Sequence, residues 1–277
     1  MERMERWMSE RGRVLVMGVL NSSPDSFYDG GRRLTTAAAI DSGLQLVEEG
    51  ADIIDVGGES TRPGARPVSA AEELERVVPV IAGIRAKDDI LLSVDTTKAA
   101  VAAEAIAAGA QIVNDVSALR SDPEMAHLVA EHGVFVVLMH MQGVPETMQD
   151  NPSYTDPVEE IRAFLAERIG VAIAAGISTE KIIIDPGIGF GKRLADNLAI
   201  LQNLAQFNDL GVPILIGLSR KSFLGKILDL PAAERLEGTI AANAVAILNG
   251  ADIIRVHDVS EGRRTAAVAR ALRNAAT

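Results

Sequence analysis

The stretch "EEGADIIDV" (residues 48–56) returns twice, as "AAGAQIVND" (107–115) and "LNGADIIRV" (248–256). Each copy leaves a run of helical periodicity, places a glycine just past the expected helix end, and passes at once into a β-branched run with a polar group near its end. It is the joint of a βα unit. Working outward, eight short β-branched runs alternate with longer alanine-rich stretches: "RVLVMGVL" from Arg13, "DIIDVGG" from Asp52, "ILLSVD" from Ile90, "IVNDVS" from Ile112, "FVVLMH" from Phe135, "KIIID" from Lys181, "PILIGLS" from Pro213 and "DIIRVH" from Asp252. Eight such units predict a closed (β/α)₈ TIM barrel of the α/β class, with an open doubly wound sheet as the alternative. The 277 residues suit one barrel of roughly 250 residues. A single domain over 1–277 is expected, preceded by a charged extension over 1–12.

Composition agrees with buried parallel strands under alanine-rich helices: 48% of residues are hydrophobic, mostly Ala, Val, Ile and Leu, and only 3% are aromatic. With no cysteine there is no disulfide, thiolate metal site or thiol nucleophile. No stretch approaches the roughly 20 apolar residues of a membrane span. The start, "MERMERWMSERGR", has charge but no apolar segment behind it and is not a secretory signal, so the cytoplasm is the default location. A net charge of −11 argues against a nucleic-acid surface, so any bound anion must meet a local cluster of cations and backbone N–H groups.

In a barrel, functional groups sit at the carboxyl ends of the strands and on the loops after them. Read in order, those ends are Asn21, Asp55, Asp95, Asn114 with Asp115, His140, Asp185, Ser219 with Lys221, and Arg255 with His257. A lone carboxylate at a strand end is usually a cap or a solvated group; eight polar endings of eight are harder to explain that way. The loop "DPGIGFGK" (185–192) resembles a phosphate loop but fails both templates. Its glycines are one residue apart, Arg193 stands where the P-loop needs Ser or Thr, and the dinucleotide spacing is missed by one place. What remains is a strand-end carboxylate on a turn that lets a flat ligand approach the backbone. Asp95, Asn114 and Asp185 suit the adjacent N–H donors of a 2-amino-4-oxo-pyrimidine, found in pterins and guanine. Lys221 is placed to donate to the ring carbonyl. "GGESTRPGA" and "RVHD" supply Arg62, Arg255 and His257 for a diphosphate, and Asn21 offers a neutral oxygen suited to Mg²⁺.

"MGVLNSSPDSFYDGG", "DVGGESTRPGA", "VDTTK", "IVNDVSA", "LMHMQGVPETMQ", "DPGIGFGK", "GLSRKSFLG" and "RVHDV" resemble, in order and over nearly the whole chain, the segments of the dihydropteroate synthases of folate biosynthesis. The resemblance implies a transferase that condenses 6-hydroxymethyl-7,8-dihydropterin pyrophosphate with 4-aminobenzoate, as a homodimer using Mg²⁺, and that is a sulfonamide target. Position by position it puts Asp95, Asn114, Met139, Asp185, Lys221 and Arg255 around the pterin. Asn21, Thr61, Arg62, Arg255 and His257 would meet the pyrophosphate, with Asn21 also near the metal. Phe27, Asp29, Thr61, Pro63, Phe190, Ser219 and Lys221 would enclose the aminobenzoate. Asp95, Lys221, Arg255 and His257 would carry the catalysis, while Asp55 either orients its neighbours or touches ligand.

The first loop departs from the family pattern, which commonly reads Asn-Val-Thr-Pro-Asp-Ser-Phe-Ser-Asp where this chain has Ser22, Ser23 and Tyr28. The departure bears on loop closure and aminobenzoate affinity rather than on the reaction. No activated nucleophile is needed, because an aniline is neutral at pH 7 and already nucleophilic; the expected route is a dissociative substitution in which pyrophosphate leaves first. Ordered binding is expected as well, with the aminobenzoate pocket complete only once pyrophosphate is present. Three alternatives remain at this stage: a methyltetrahydrofolate-type methyltransferase barrel, a Schiff-base aldolase using Lys221, and a pterin-binding paralogue without turnover.

Overall fold

The computed structural model describes residues 4, 7, 13–22, 35–60, 64, 65 and 67–275. Eight strands follow the eight β-branched runs: β1 (Leu15–Asn21), β2 (Ile53–Gly57), β3 (Leu91–Asp95), β4 (Ile112–Asp115), β5 (Phe135–Met139), β6 (Ile182–Asp185), β7 (Leu215–Gly217) and β8 (Ile253–Val256). The helices between and after them are α1 (Thr36–Glu48), α2 (Ala70–Arg85), α3 (Ala99–Ala107), α4 (Met125–His132), α5 (Pro157–Ala174), α6 (Leu194–Gln202), α7 (Ser222–Leu228), α8 (Leu236–Leu248) and α9 (Val259–Ala275). The strands pair in the parallel sense in the order β6-β5-β4-β3-β2-β1-β8-β7. A parallel bridge between Ile184 and Ile214, with Ile184 N–H donating to Pro213 O at 3.0 Å, joins β6 to β7 and closes the ring. The expected TIM barrel is therefore present, and the doubly wound sheet is set aside.

The repeated phrase folds as its residues require. Gly50, Gly109 and Gly250 have φ of 99°, 116° and 110°, which glycine adopts without the steric cost a Cβ would bring. At helix starts, Ser69 Oγ accepts from Glu72 N–H at 3.2 Å, and Asp156 accepts from Val158 and Glu159 N–H at 3.0 and 3.1 Å ahead of Pro157.

Alternation along each strand divides the core in two. Val16, Ile54, Leu92, Val113, Val136, Ile184, Ile216 and Ile254 face outward and pack with the helices. Leu15, Ile53, Leu91, Ile112, Phe135, Ile183, Leu215 and Ile253, one from every strand, form an interior cluster with Met17 and Val137. Met4 and Trp7 belong to that interior cluster, and Trp7 Nε1 donates to Arg13 O at 2.5 Å. Two apolar residues of the charged N-terminal segment thus fill the barrel floor, a role its charge does not announce. No described helix is long and apolar enough to cross a membrane.

Candidate active site

Two residues beyond the interior apolar layer, on the same face of β2, β3, β4, β6 and β8, the side chains turn polar. Ile53 is followed by Asp55, Leu91 by Ser93 and then Asp95, Ile112 by Asn114, Ile183 by Asp185, and Ile253 by Arg255 and then His257. The two-residue period that buries the floor also lifts these groups to the mouth. Met139 stands beside Asp185 in the strand register and forms a small apolar cluster with Val116, Met141 and Met148, against which Phe190 packs.

Arg255 is the hub. From β8 its Nε donates to Asp55 Oδ2 at 2.6 Å and its NH2 donates to Asp95 Oδ2 at 2.7 Å, bridging over β1 to β2 and β3. Asn114 Nδ2 donates to the same Asp55 oxygen at 3.0 Å. Asp55 is wholly buried and meets Arg255 and Asn114 through one oxygen, Oδ2, while its Oδ1 has no partner among the described residues. Burial raises the Asp95 carboxyl to about 7 in spite of the Arg255 cation beside it. Burial works against the Arg255 charge, but the Asp55 and Asp95 carboxylates outweigh it and hold the guanidinium above its ordinary range.

Asp185 is also buried, and its Oδ1 accepts from Gly187 N–H at 2.7 Å. Its second oxygen accepts nothing from the described residues. Burial raises its pKa; the Lys221 ammonium and the Gly187 N–H pull the other way. Lys221 stands just before α7, donates to Ile188 O at 2.5 Å and lies over the Phe190 ring at 4.7 Å. Burial lowers its pKa to about 8, with Asp185 opposing. Ser219 Oγ lies 2.9 Å from His257 Nδ1 and accepts His257 N–H at 3.2 Å, which ties the ends of β7 and β8. Asn21 and His257 line one cavity of about 510 Å³, and Asp95 lines another of about 480 Å³ with Thr96, Ser117 and Met141.

The structure therefore brings Asp55, Asp95, Asn114, Met139, Asp185, Phe190, Ser219, Lys221, Arg255 and His257 to one mouth, with Asn21 at its rim. Thr61, Arg62, Pro63, Phe27 and Asp29, together with Ser23 and Tyr28, lie outside the described residues. Two of the eleven polar residues at the eight strand ends do not face the mouth. Asp115 follows the inward Asn114 by one residue, so it points outward and caps the next turn, accepting from Ser117 N–H, Ser117 Oγ and Leu119 N–H at 2.7–2.8 Å. His140, one residue past inward Met139, is buried edge-on against Phe164 with ring centroids 4.8 Å apart. Parity would have separated both. Other supporting groups carry no local sequence signal: Arg220 turns away from Lys221 to grip Asp258 at 2.8 and 2.9 Å, and Lys98 is paired with Glu59 and with buried Glu73. Their partners lie 25–39 residues away in the chain.

Residues 17–257 match the pterin-binding enzyme family. Dihydropteroate synthase of Synechocystis sp. is 48% identical over 261 residues, covering 94% of this chain and 90% of that protein. The structure of Yersinia pestis dihydropteroate synthase in a sulfonamide drug complex superposes with a TM-score of 0.91 at 44% identity, covering 96% of each chain. That of Xanthomonas albilineans dihydropteroate synthase in complex with 7,8-dihydropteroate gives 0.85 at 44% identity, covering 94% of each.

Proposed function

The chain belongs to the dihydropteroate synthase family of pterin-binding enzymes, transferases of folate biosynthesis, and on that premise we propose how its residues divide the work. The reaction joins 6-hydroxymethyl-7,8-dihydropterin pyrophosphate to 4-aminobenzoate, giving 7,8-dihydropteroate and pyrophosphate. The observation that carries the reading is the inward polar layer, in which Asp95, Asn114 and Asp185 from three strands share a mouth with Lys221 and Arg255.

Asp185 accepts the paired N–H donors of the pterin's pyrimidine edge with its two oxygens, one that no described group occupies and Oδ1, which keeps acceptor capacity beside the Gly187 N–H. Asn114, held by Asp55, reads the ring beside it, while Met139 and Arg255 lie against its faces. Lys221 donates to the ring carbonyl, reached from its position over Phe190. The electron-rich ring stabilises cationic character at the exocyclic carbon as the C–O bond to pyrophosphate breaks, and the Asp95 and Asp185 carboxylates favour that charge. Arg62, Arg255 and His257, with Thr61, favour the departing negative charge. The arylamine then attacks with its own lone pair and gives up its proton to water or the departing phosphate, so no side-chain base is required. Phe190, Ser219 and Lys221, with Phe27, Asp29, Thr61 and Pro63, enclose the aminobenzoate, where a sulfonamide would compete.

Among the described residues no three His, Asp or Glu side chains converge to hold a metal. The neutral oxygen of Asn21, at the end of β1, suits an Mg²⁺ held mostly by water and pyrophosphate. Bound there, the ion would offset charge on the leaving group. The same proposal makes the protein a cytoplasmic homodimer. Ile227 and Leu228 of α7, Val245 and Leu248 of α8, and Val268 and Leu272 of α9 are exposed apolar residues on adjoining helices, a surface that a second copy would cover.

The test is product stoichiometry. Incubation with both substrates and Mg²⁺ should give dihydropteroate and pyrophosphate in equal amounts by chromatography and mass spectrometry. Pyrophosphate without dihydropteroate would reduce the protein to a hydrolase, and neither product would leave a pterin-binding protein without turnover.

A further inference from the structure

Lys192 closes "DPGIGFGK", has no part in the division of work above, and is only 3% exposed. A buried ammonium is costly unless each proton finds an acceptor. Here three protons meet three acceptors: His140 Nδ1 at 2.9 Å, Phe190 O at 3.0 Å and His140 O at 3.3 Å. With Nδ1 accepting, the ring proton of His140 sits on Nε2. Burial, then the Lys192 and Arg120 cations, push the His140 pKa down to about 2, so the imidazole stays neutral.

Both acceptor residues adjoin groups of the pterin site. His140 N–H donates to Asp185 O at 2.9 Å, and the Phe190 ring lies under the Lys221 ammonium. The loop after β6 rests directly on the loop after β5: a Cβ on Gly187 would stand 1.9 Å from His140 O, and one on Gly191 would stand 2.4 Å from Gln142 O. Gln149 Nε2 and Tyr154 Oη, from the β5 side, donate to Gly189 O and Gly191 O at 2.7 Å each. The charged groups around Asp185 are Lys221 at the start of α7, Lys192 in the loop and Arg255 on β8, while β5 presents only the neutral His140. Burial lowers the Lys192 pKa to about 7, with Asp185 and Asp196 of α6 opposing and Lys221 adding to the fall, so its ammonium is present on the acidic side of pH 7.

We propose that Lys192 is a positioning residue of the pterin site: its ammonium pins the loop after β6 to the end of β5 through His140 and Phe190, and its charge helps keep the Asp185 carboxylate ionised. This rests on the reading of Asp185 as the pterin's acceptor and deepens it. Lys192→Met keeps the length and apolar stem of the side chain but removes both the donors and the charge, whereas Lys192→Arg keeps the charge.

A pyrophosphate-free pterin analogue is titrated into the wild type and both variants between about pH 5 and pH 8, with thermal unfolding recorded for each. Lys192→Met should bind at least about tenfold more weakly, and its acidic limb should move up by about half a pH unit or more, because Asp185 loses a neighbouring cation. Lys192→Arg should return the limb to its wild-type position. A folded Lys192→Met with unchanged affinity overturns the proposal, and weaker binding with an unmoved limb overturns the role of the charge. If Lys192→Met does not fold, His140→Leu carries the test: losing one acceptor favours neutral Lys192, so the limb should again rise, and an unmoved limb contradicts the proposal. A wild type that binds no pterin would instead refute the reading of the site.

Discussion

The Arg255 guanidinium sits between two buried carboxylates, Asp55 and Asp95, and is bonded to both. Asp95 must ionise to favour a cationic pterin, and in the free protein it does so only around pH 7 because burial outweighs Arg255. Lys221 loses its proton above about 8 because burial outweighs Asp185. The kcat/KM for the pterin substrate should therefore rise through about pH 7, fall through about pH 8, and peak between. Asp95→Asn should lower activity and remove the limb near pH 7, leaving that of Asp185, and an unmoved limb near pH 7 would show that it belongs to another group. The linked effect on stability has a definite sign. A carboxyl raised above its unfolded value favours the fold most below the ordinary carboxylate pKa, and that contribution is lost as pH rises through about 7. Asp95→Asn should then be more thermostable than the wild type above pH 7, and less active. Residues at this scale were legible in the sequence where they end a strand on the inward parity, as Asp95, Asn114, Asp185 and Arg255 do. Asp115 and His140, one place out of step, were not. The contacts of Lys192 with His140 span 52 positions, and no local pattern encodes them.

The strands were readable because each is a short run rich in Val, Ile and Leu, set off in all but β3 by a glycine or a proline, and the joint phrase repeats. Their ring order follows once eight βα units are counted. The N-terminal segment was not readable: Met4 and Trp7, three apart, are too few to show a period, yet they occupy the one place where all eight strands converge below the site. Trp7→Ala should cost about 3–5 kcal/mol of stability, as for other large core truncations. Chemical denaturation followed by circular dichroism measures this. As the only tryptophan in the chain, Trp7 also lets the fluorescence of the wild type report on the barrel floor. A loss under about 1 kcal/mol would show that the strands close the floor without it. Ordered binding belongs to this scale too, but its loops, 23–34 and 61–63, lie outside the described residues and the expectation stands as part of the proposal.

For the molecule as a whole, one end of the barrel is apolar and packed, the other carries the converged polar layer, and three adjoining helices expose apolar side chains to the side. The proposed dimer uses that side surface, so Val245→Glu with Val268→Glu should lower the sedimenting mass to that of one chain; a wild type that already sediments as one chain would remove the dimer from the account. The central claim is narrower: the inward carboxylate at the end of β6 reads the pterin. Calorimetric titration of a pterin analogue into the wild type and Asp185→Asn tests it most directly. The amide places a donor where the ligand also donates, so affinity should fall by about 2–4 kcal/mol, with the enthalpy of binding reduced and the fold intact by circular dichroism. Equal affinity in the two proteins would contradict the claim and move the pterin elsewhere in the mouth.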